Sequence, residues 1–106
     1  MANMDHDTNL CPKDIISGKL TRVETEFGAV LLTALGDEIV GFSAKCPHAG
    51  ENLEAGGLSH NRISCPKHGW KFNIQSGRTV YPPDEACRLR RYPIKIINER
   101  LCIQER

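Results

Sequence analysis

Two short loops constrain this chain more than anything else in it: Cys46-Pro47-His48 and Cys65-Pro66-Lys67-His68-Gly69-Trp70, in the spacing C-x-H-x16-C-x2-H. Each offers one thiolate and one imidazole. Thiolates suit iron–sulfur clusters and zinc, and imidazoles suit iron, zinc and copper. A lone Cys or His is ordinarily a buried thiol or a surface imidazole. Two Cys/His pairs in matching Pro- and Gly-containing loops point instead to metal ligation. The other cysteines, Cys11, Cys87 and Cys102, have no paired histidine, and an odd total of five reads poorly as a disulfide framework. Zinc is the plain alternative for a Cys2His2 set, but zinc fingers usually place both cysteines before both histidines, whereas here the order alternates.

The surroundings of these loops support the need for a metal. From Lys45 to about Pro83 the chain is rich in Gly, Pro, Asn, Ser and His, with only brief apolar pieces such as Arg62-Ile63-Ser64 and Trp70-Lys71-Phe72. Such a segment is expected to lack a core of its own, and metal–ligand bonds add directly to folding free energy. The whole chain has 106 residues, room for one domain and too little for separate nicotinamide and flavin domains. Its 14 Lys and Arg against 13 Asp and Glu leave a net charge of +1, which argues against a nucleic-acid-binding face or a polybasic anchor. No run approaches the ~18 apolar residues of a membrane span, and the start of the chain lacks the pattern of a signal peptide, so a cytoplasmic location is expected.

Outside the loops the pattern is β. Ala29–Leu35 and Glu38–Ser43 are apolar runs separated by Gly36-Asp37, a two-residue hairpin signal. Tyr92–Ile97 and Leu101–Ile103 flank Asn98-Glu99-Arg100, a second hairpin in which Tyr92, Ile94 and Ile96 are predicted to share one face. No stretch sustains a 3.6-residue period with caps, so an all-β chain with little helix is expected. Residues 1–10 are polar and predicted to fray, leaving 11–106 as a single domain.

The alternating ligand order resembles the Rieske family, and the resemblance covers roughly residues 15 to 104. It is carried by Cys46-Pro47-His48-Ala49-Gly50, Leu53, Gly56-Gly57, Ile63, Cys65-Pro66, His68-Gly69-Trp70, Phe72 and Gly77. The resemblance implies a small antiparallel β-sandwich with an inserted cluster-binding subdomain, here approximately 45–83. It also implies one [2Fe–2S] cluster, with Cys46 and Cys65 on one iron and His48 and His68 on the other. Respiratory and photosynthetic Rieske proteins carry an extra cysteine in each loop, where this chain has Glu51 and Lys67. They also carry a Ser and a Tyr that donate to sulfur, where this chain has Trp70 and Phe72, and they have a membrane anchor. These departures point to the low-potential, soluble Rieske-type ferredoxins of multicomponent oxygenases.

Other residues carry less. Pro82-Pro83 matches the segment that covers the cluster in that family, against the plain alternative of a proline turn. Trp70 is expected to shield the cluster as well as pack. His60 reads as a loop histidine, His6 as part of the tail, and Cys102 as a half-buried strand thiol. Arg88, Arg90 and Arg91 form either a solvated strand edge or a docking surface. With no oxygenase domain of its own, the chain is expected to be an electron carrier, not an enzyme. It would pass single electrons from an NAD(P)H-dependent reductase to a terminal oxygenase by transient docking. The alternatives are the small Rieske-like subunit of an NADH-dependent nitrite reductase, disfavoured by the four retained ligands, and a structural zinc module.

Overall fold

The computed structural model describes residues 5–48 and 50–105. Among the described residues eleven strands run in chain order: β1 (Asp5–Asp7), β2 (Thr21–Thr25), β3 (Gly28–Leu35), β4 (Glu38–Ser43), β5 (Leu58–Ser59), β6 (Arg62–Ser64), β7 (Lys71–Asn73), β8 (Thr79–Tyr81), β9 (Arg91–Tyr92), β10 (Ile94–Ile97) and β11 (Arg100–Gln104). Among the described residues the only helical pieces are two single 3-10 turns, Pro12–Asp14 and Leu53–Ala55. Three antiparallel sheets result, ordered β1-β11-β10, β2-β3-β4-β9 and β5-β6-β7-β8.

Strand β3 explains how three sheets make one body. Period-2 geometry sends Val30 and Leu32 to one face and Leu31 and Thr33 to the other. Val30 and Leu32 pack with Ile15, Tyr92, Leu101 and Ile103, while Leu31 packs with Val40, Phe42, Ile63, Phe72 and Ile74. The central sheet is therefore covered on both sides, which is why β3 reads as a continuous apolar run with no alternation. Each fully buried Leu, Ile or Phe in these layers contributes roughly 1.5–3 kcal/mol.

Several expectations need correction. Residues 5–7, assigned to a frayed tail, form β1, whose Asp5, His6 and Asp7 pair with Gln104, Ile103 and Cys102. Backbone pairing and Arg100 Nη2, 3.1 Å from Asp7 Oδ2, hold them without apolar side chains. Tyr92 and Ile96 do not share a buried face: Tyr92 belongs to β9, paired with β4, and Ile96 lies in β10 at 59% exposure. Pro93, with no N–H to give, separates the two strands as the chain changes sheets. The second hairpin closes one residue tighter than expected, since Ile97 pairs with Arg100 and the turn is Asn98-Glu99, both at positive φ. Nor does the 45–83 segment lack a core. Leu53, Ile63, Phe72 and Ile74 are fully buried, sharing their layer with β3 and β4.

Candidate metal centre

The two candidate ligand loops are built alike. The first, Cys46–Glu51, is closed by the Lys45–Asn52 bridge; the second, Cys65–Trp70, is closed by the Ser64–Lys71 pair. In the first, Cys46 N donates to Glu51 O at 2.8 Å and Gly50 N to Cys46 O at 2.8 Å. In the second, Cys65 N donates to Trp70 O at 2.7 Å and Gly69 N to Cys65 O at 3.1 Å. Both loops turn back through a glycine at φ 72°, Gly50 and Gly69, a backbone shape that a Cβ would strain. The recurring Cys-Pro and late Gly in the sequence are thus the marks of one repeated six-residue turn.

Each loop is seated on the core. Leu53 N donates to Ala44 O at 2.7 Å, and the Asn52 side chain accepts from Glu54 N at 3.0 Å, so the first loop runs straight into the buried Leu53 turn. That turn lies against β6: Ser64 N donates to Gly57 O at 2.9 Å. The second loop is the connection between β6 and β7, whose register pairs Ile63 with Phe72.

The four predicted ligands are thereby brought to one end of the third sheet. Cys46 and Cys65 are 1% and 2% exposed and belong to the same core layer. His48 and His68 are exposed, with ring centroids 5.7 Å apart and rings at 68°. None of the five cysteines is in a disulfide. Trp70 lies flat on His48, with centroids 3.9 Å apart and planes 6° from parallel, and tilts against Phe72 at 6.3 Å. Two buried thiols and two exposed imidazoles are a donor set that would fit a Rieske-type [2Fe–2S] cluster.

The remaining candidates divide. Tyr81 pairs with Lys71, so Pro82 and Pro83 leave β8 at the same end of the sheet as the second loop; Pro82 is half-buried and Pro83 exposed. His60 sits in the β5–β6 turn, at the opposite end of β6 from Cys65. His6 is not idle tail: its Nδ1 lies 3.5 Å from Glu26 Oε1. Burial pushes the Cys102 thiol above its ordinary pKa, with Asp7 and Asp5 adding to the effect. Of the arginines, Arg91 Nε donates to Ile74 O at 2.9 Å and Arg90 lies over the Tyr92 ring. Sequence reasoning missed two contacts between the loops: the Trp70 stack on His48, and the Lys67 Nζ–Glu51 Oε1 ion pair at 3.3 Å. Both join residues on different loops, which no local pattern reveals.

The family model described as Rieske [2Fe-2S] domain matches residues 7–95. The chain belongs to the Rieske [2Fe–2S] domain family, whose cofactor is one Rieske-type [2Fe–2S] cluster. Apoptosis-inducing factor 3 of Mus musculus is 37% identical over 93 residues, 87% of this chain but only 15% of that protein's length. The ferredoxin component of the naphthalene 1,2-dioxygenase system of Pseudomonas putida is 29% identical over 90 residues, 85% of this chain and 86% of that one. Among solved structures, a complex of reduced oxygenase and oxidized ferredoxin in carbazole 1,9a-dioxygenase matches with TM-score 0.82 and 20% identity. The match covers 96% of this chain and 94% of that one, and it shows a common fold.

Proposed function

We propose that this chain is a one-electron carrier in which Cys46 and Cys65 hold one iron of the cluster and His48 and His68 the other. It would accept electrons from an NAD(P)H-dependent reductase and pass them to a terminal oxygenase in the cytoplasm. The observation that carries this is the polarity of the donor set: both thiols lie in the core and both imidazoles face solvent. When bound, the cluster supplies reversible one-electron chemistry. The chain's own part is to enclose the sulfur end in Leu53, Ile63, Phe72 and Ile74 and to present the histidine end to a partner. Exposed rings permit a small, short-lived contact of the kind redox partners use. Supporting the oxygenase assignment is the match to the naphthalene dioxygenase ferredoxin component, 29% identical over 90 residues. Trp70 and Phe72, which carry no hydroxyl, favour a potential in the lower part of the family's range of about −150 to +300 mV. Pro82 and Pro83 would limit solvent access from the side of β8.

The test is electron delivery. The reduced protein, mixed anaerobically with the terminal oxygenase of a naphthalene-type system, should be reoxidised at a rate that rises with oxygenase concentration, and its own reductase should re-reduce it. Failure to exchange electrons with oxygenase or reductase would reject the assignment. A second reading, electron transfer to an acceptor other than an oxygenase, is favoured by the match to apoptosis-inducing factor 3, 37% identical over 93 residues. Reduction by its reductase without onward transfer to any oxygenase would support it.

A further inference from the structure

Because the two loops have equal length and the same closure, their residues can be compared place by place. The third place holds His48 in one loop and Lys67 in the other; the sixth holds Glu51 and Trp70. Each sixth-place side chain crosses to the third place of the opposite loop. Trp70 stacks on His48, with centroids 3.9 Å apart and planes 6° from parallel. Glu51 Oε1 accepts from Lys67 Nζ at 3.3 Å. One crossing is a flat aromatic contact and the other an ion pair, yet they occupy equivalent positions. Their footings differ. Trp70 packs against the buried layer and tilts on Phe72, whereas the side chains of Lys67 and Glu51 are 57% and 39% exposed.

We propose that Trp70 and Glu51 are positioning residues forming a reciprocal clasp across the two loops, the first setting the plane of the His48 ring and the second holding the loops at fixed separation. The inference rests on the reading of His48 as a ligand. An exposed imidazole has rotamer freedom that must be lost when it ligates a metal. A ring held parallel to the Trp70 indole loses that freedom in advance, and its in-plane nitrogens then point in fixed directions. Trp70 can do this because Phe72 and the core layer hold it from behind. The Glu51–Lys67 pair closes the other side without apolar support, so its contribution is screened by salt, with a Debye length of about 3 Å at 1 M.

The experiment uses the full chain loaded with its cluster. Pulsed EPR of the reduced protein reads the couplings of the two histidine nitrogens, and transfer of iron to a chelator reads how firmly the loops close. In Trp70→Leu one nitrogen coupling should shift or broaden while the other stays, and Trp70→Phe should restore the wild-type pattern. In Glu51→Gln the couplings should hold, but iron release at low salt should be several-fold faster and no longer depend on salt, matching wild type in 1 M salt. The double variant Glu51→Lys with Lys67→Glu should regain the salt dependence. Wild-type couplings in Trp70→Leu, or wild-type salt dependence in Glu51→Gln, would overturn the clasp; the second arm decides if Trp70→Leu does not load. A wild-type spectrum without two histidine nitrogens would instead overturn the ligand reading itself.

Discussion

Two adjacent glycines, Gly56 and Gly57, sit where the first loop's support meets β6, and the structure treats them very differently. A Cβ on Gly56 would lie 1.7 Å from Ser64 O and 2.9 Å from Ser64 C, both backbone atoms that no rotamer change can move aside. A Cβ on Gly57 would meet nothing within 4 Å. Neither glycine has positive φ, so the contrast is one of space and not of backbone conformation. Gly56→Ala must push the Leu53 turn more than an ångström off β6, the strand that leads into Cys65. Overpacking of this kind costs about 1–3 kcal/mol, and rigid backbone on both sides places it at the upper end. About 3 kcal/mol corresponds to a fall of roughly 12–24 °C in melting temperature for a domain of this size. Gly57→Ala should melt at or slightly above wild type, because a lost glycine narrows the unfolded ensemble by about 0.4–1 kcal/mol. Thermal melts of the three cluster-loaded proteins by circular dichroism read this, and visible absorbance reads cluster retention. Equal melting of the two variants would refute the close approach at Ser64, and with it the account of how the first loop is seated.

Other perturbations probe different layers. Cys46→Ser should abolish the visible spectrum yet keep most of the β signal in circular dichroism, since Leu53, Ile63, Phe72 and Ile74 remain to hold the segment; wholesale unfolding would show that the metal and not the shared core organises residues 45–83. Phe72 is fully buried, so the hydroxyl of Phe72→Tyr must find a protein or sulfur partner or go unpaired. A hydrogen bond of ~1 kcal/mol to the reduced cluster should raise the potential by about 40 mV in redox titration. No rise, together with a stability loss of about 1–3 kcal/mol, would place the hydroxyl away from sulfur. The Cys102 thiol keeps its proton in the folded chain at pH values where the unfolded chain ionises it, because burial, Asp7 and Asp5 raise its pKa. Unfolding then releases a proton, and stability should fall as pH rises above the ordinary value of 9.0 until the folded thiol also ionises. Urea midpoints from pH 8 to 10.5, flatter in Cys102→Ala than in wild type, are expected; identical slopes would contradict it.

What the sequence revealed, and what it hid, divide along the range of the interactions. The Gly36-Asp37 hairpin was legible because a two-residue turn is set by its own chemistry, and Leu35 does pair with Glu38. The two matching Cys/His loops were legible because Cys, Pro, His and Gly recur at short spacing. Strand β1 was not, since Asp5-His6-Asp7 has no apolar signal and becomes a strand only by pairing with β11 at the far end of the chain. Composition misjudged the 45–83 segment for a related reason. Its apolar residues are few, but Leu53, Ile63, Phe72 and Ile74 land in a layer completed by Leu31, Val40 and Phe42 from other strands. The crossings Trp70–His48 and Glu51–Lys67 depend on two loops lying side by side, a relation that periodicity does not encode.

The central claim is that two buried thiols and two exposed imidazoles divide between two irons of one cluster. X-ray absorption at the iron edge of the loaded protein tests it most directly, because the first shell averages over both irons. Two cysteine sulfurs on one iron, two histidine nitrogens on the other and two bridging sulfides predict an average of three sulfurs and one nitrogen per iron, with a second iron as near neighbour. Four sulfurs and no nitrogen per iron, or a lone metal with two sulfurs and two nitrogens and no metal neighbour, would contradict it.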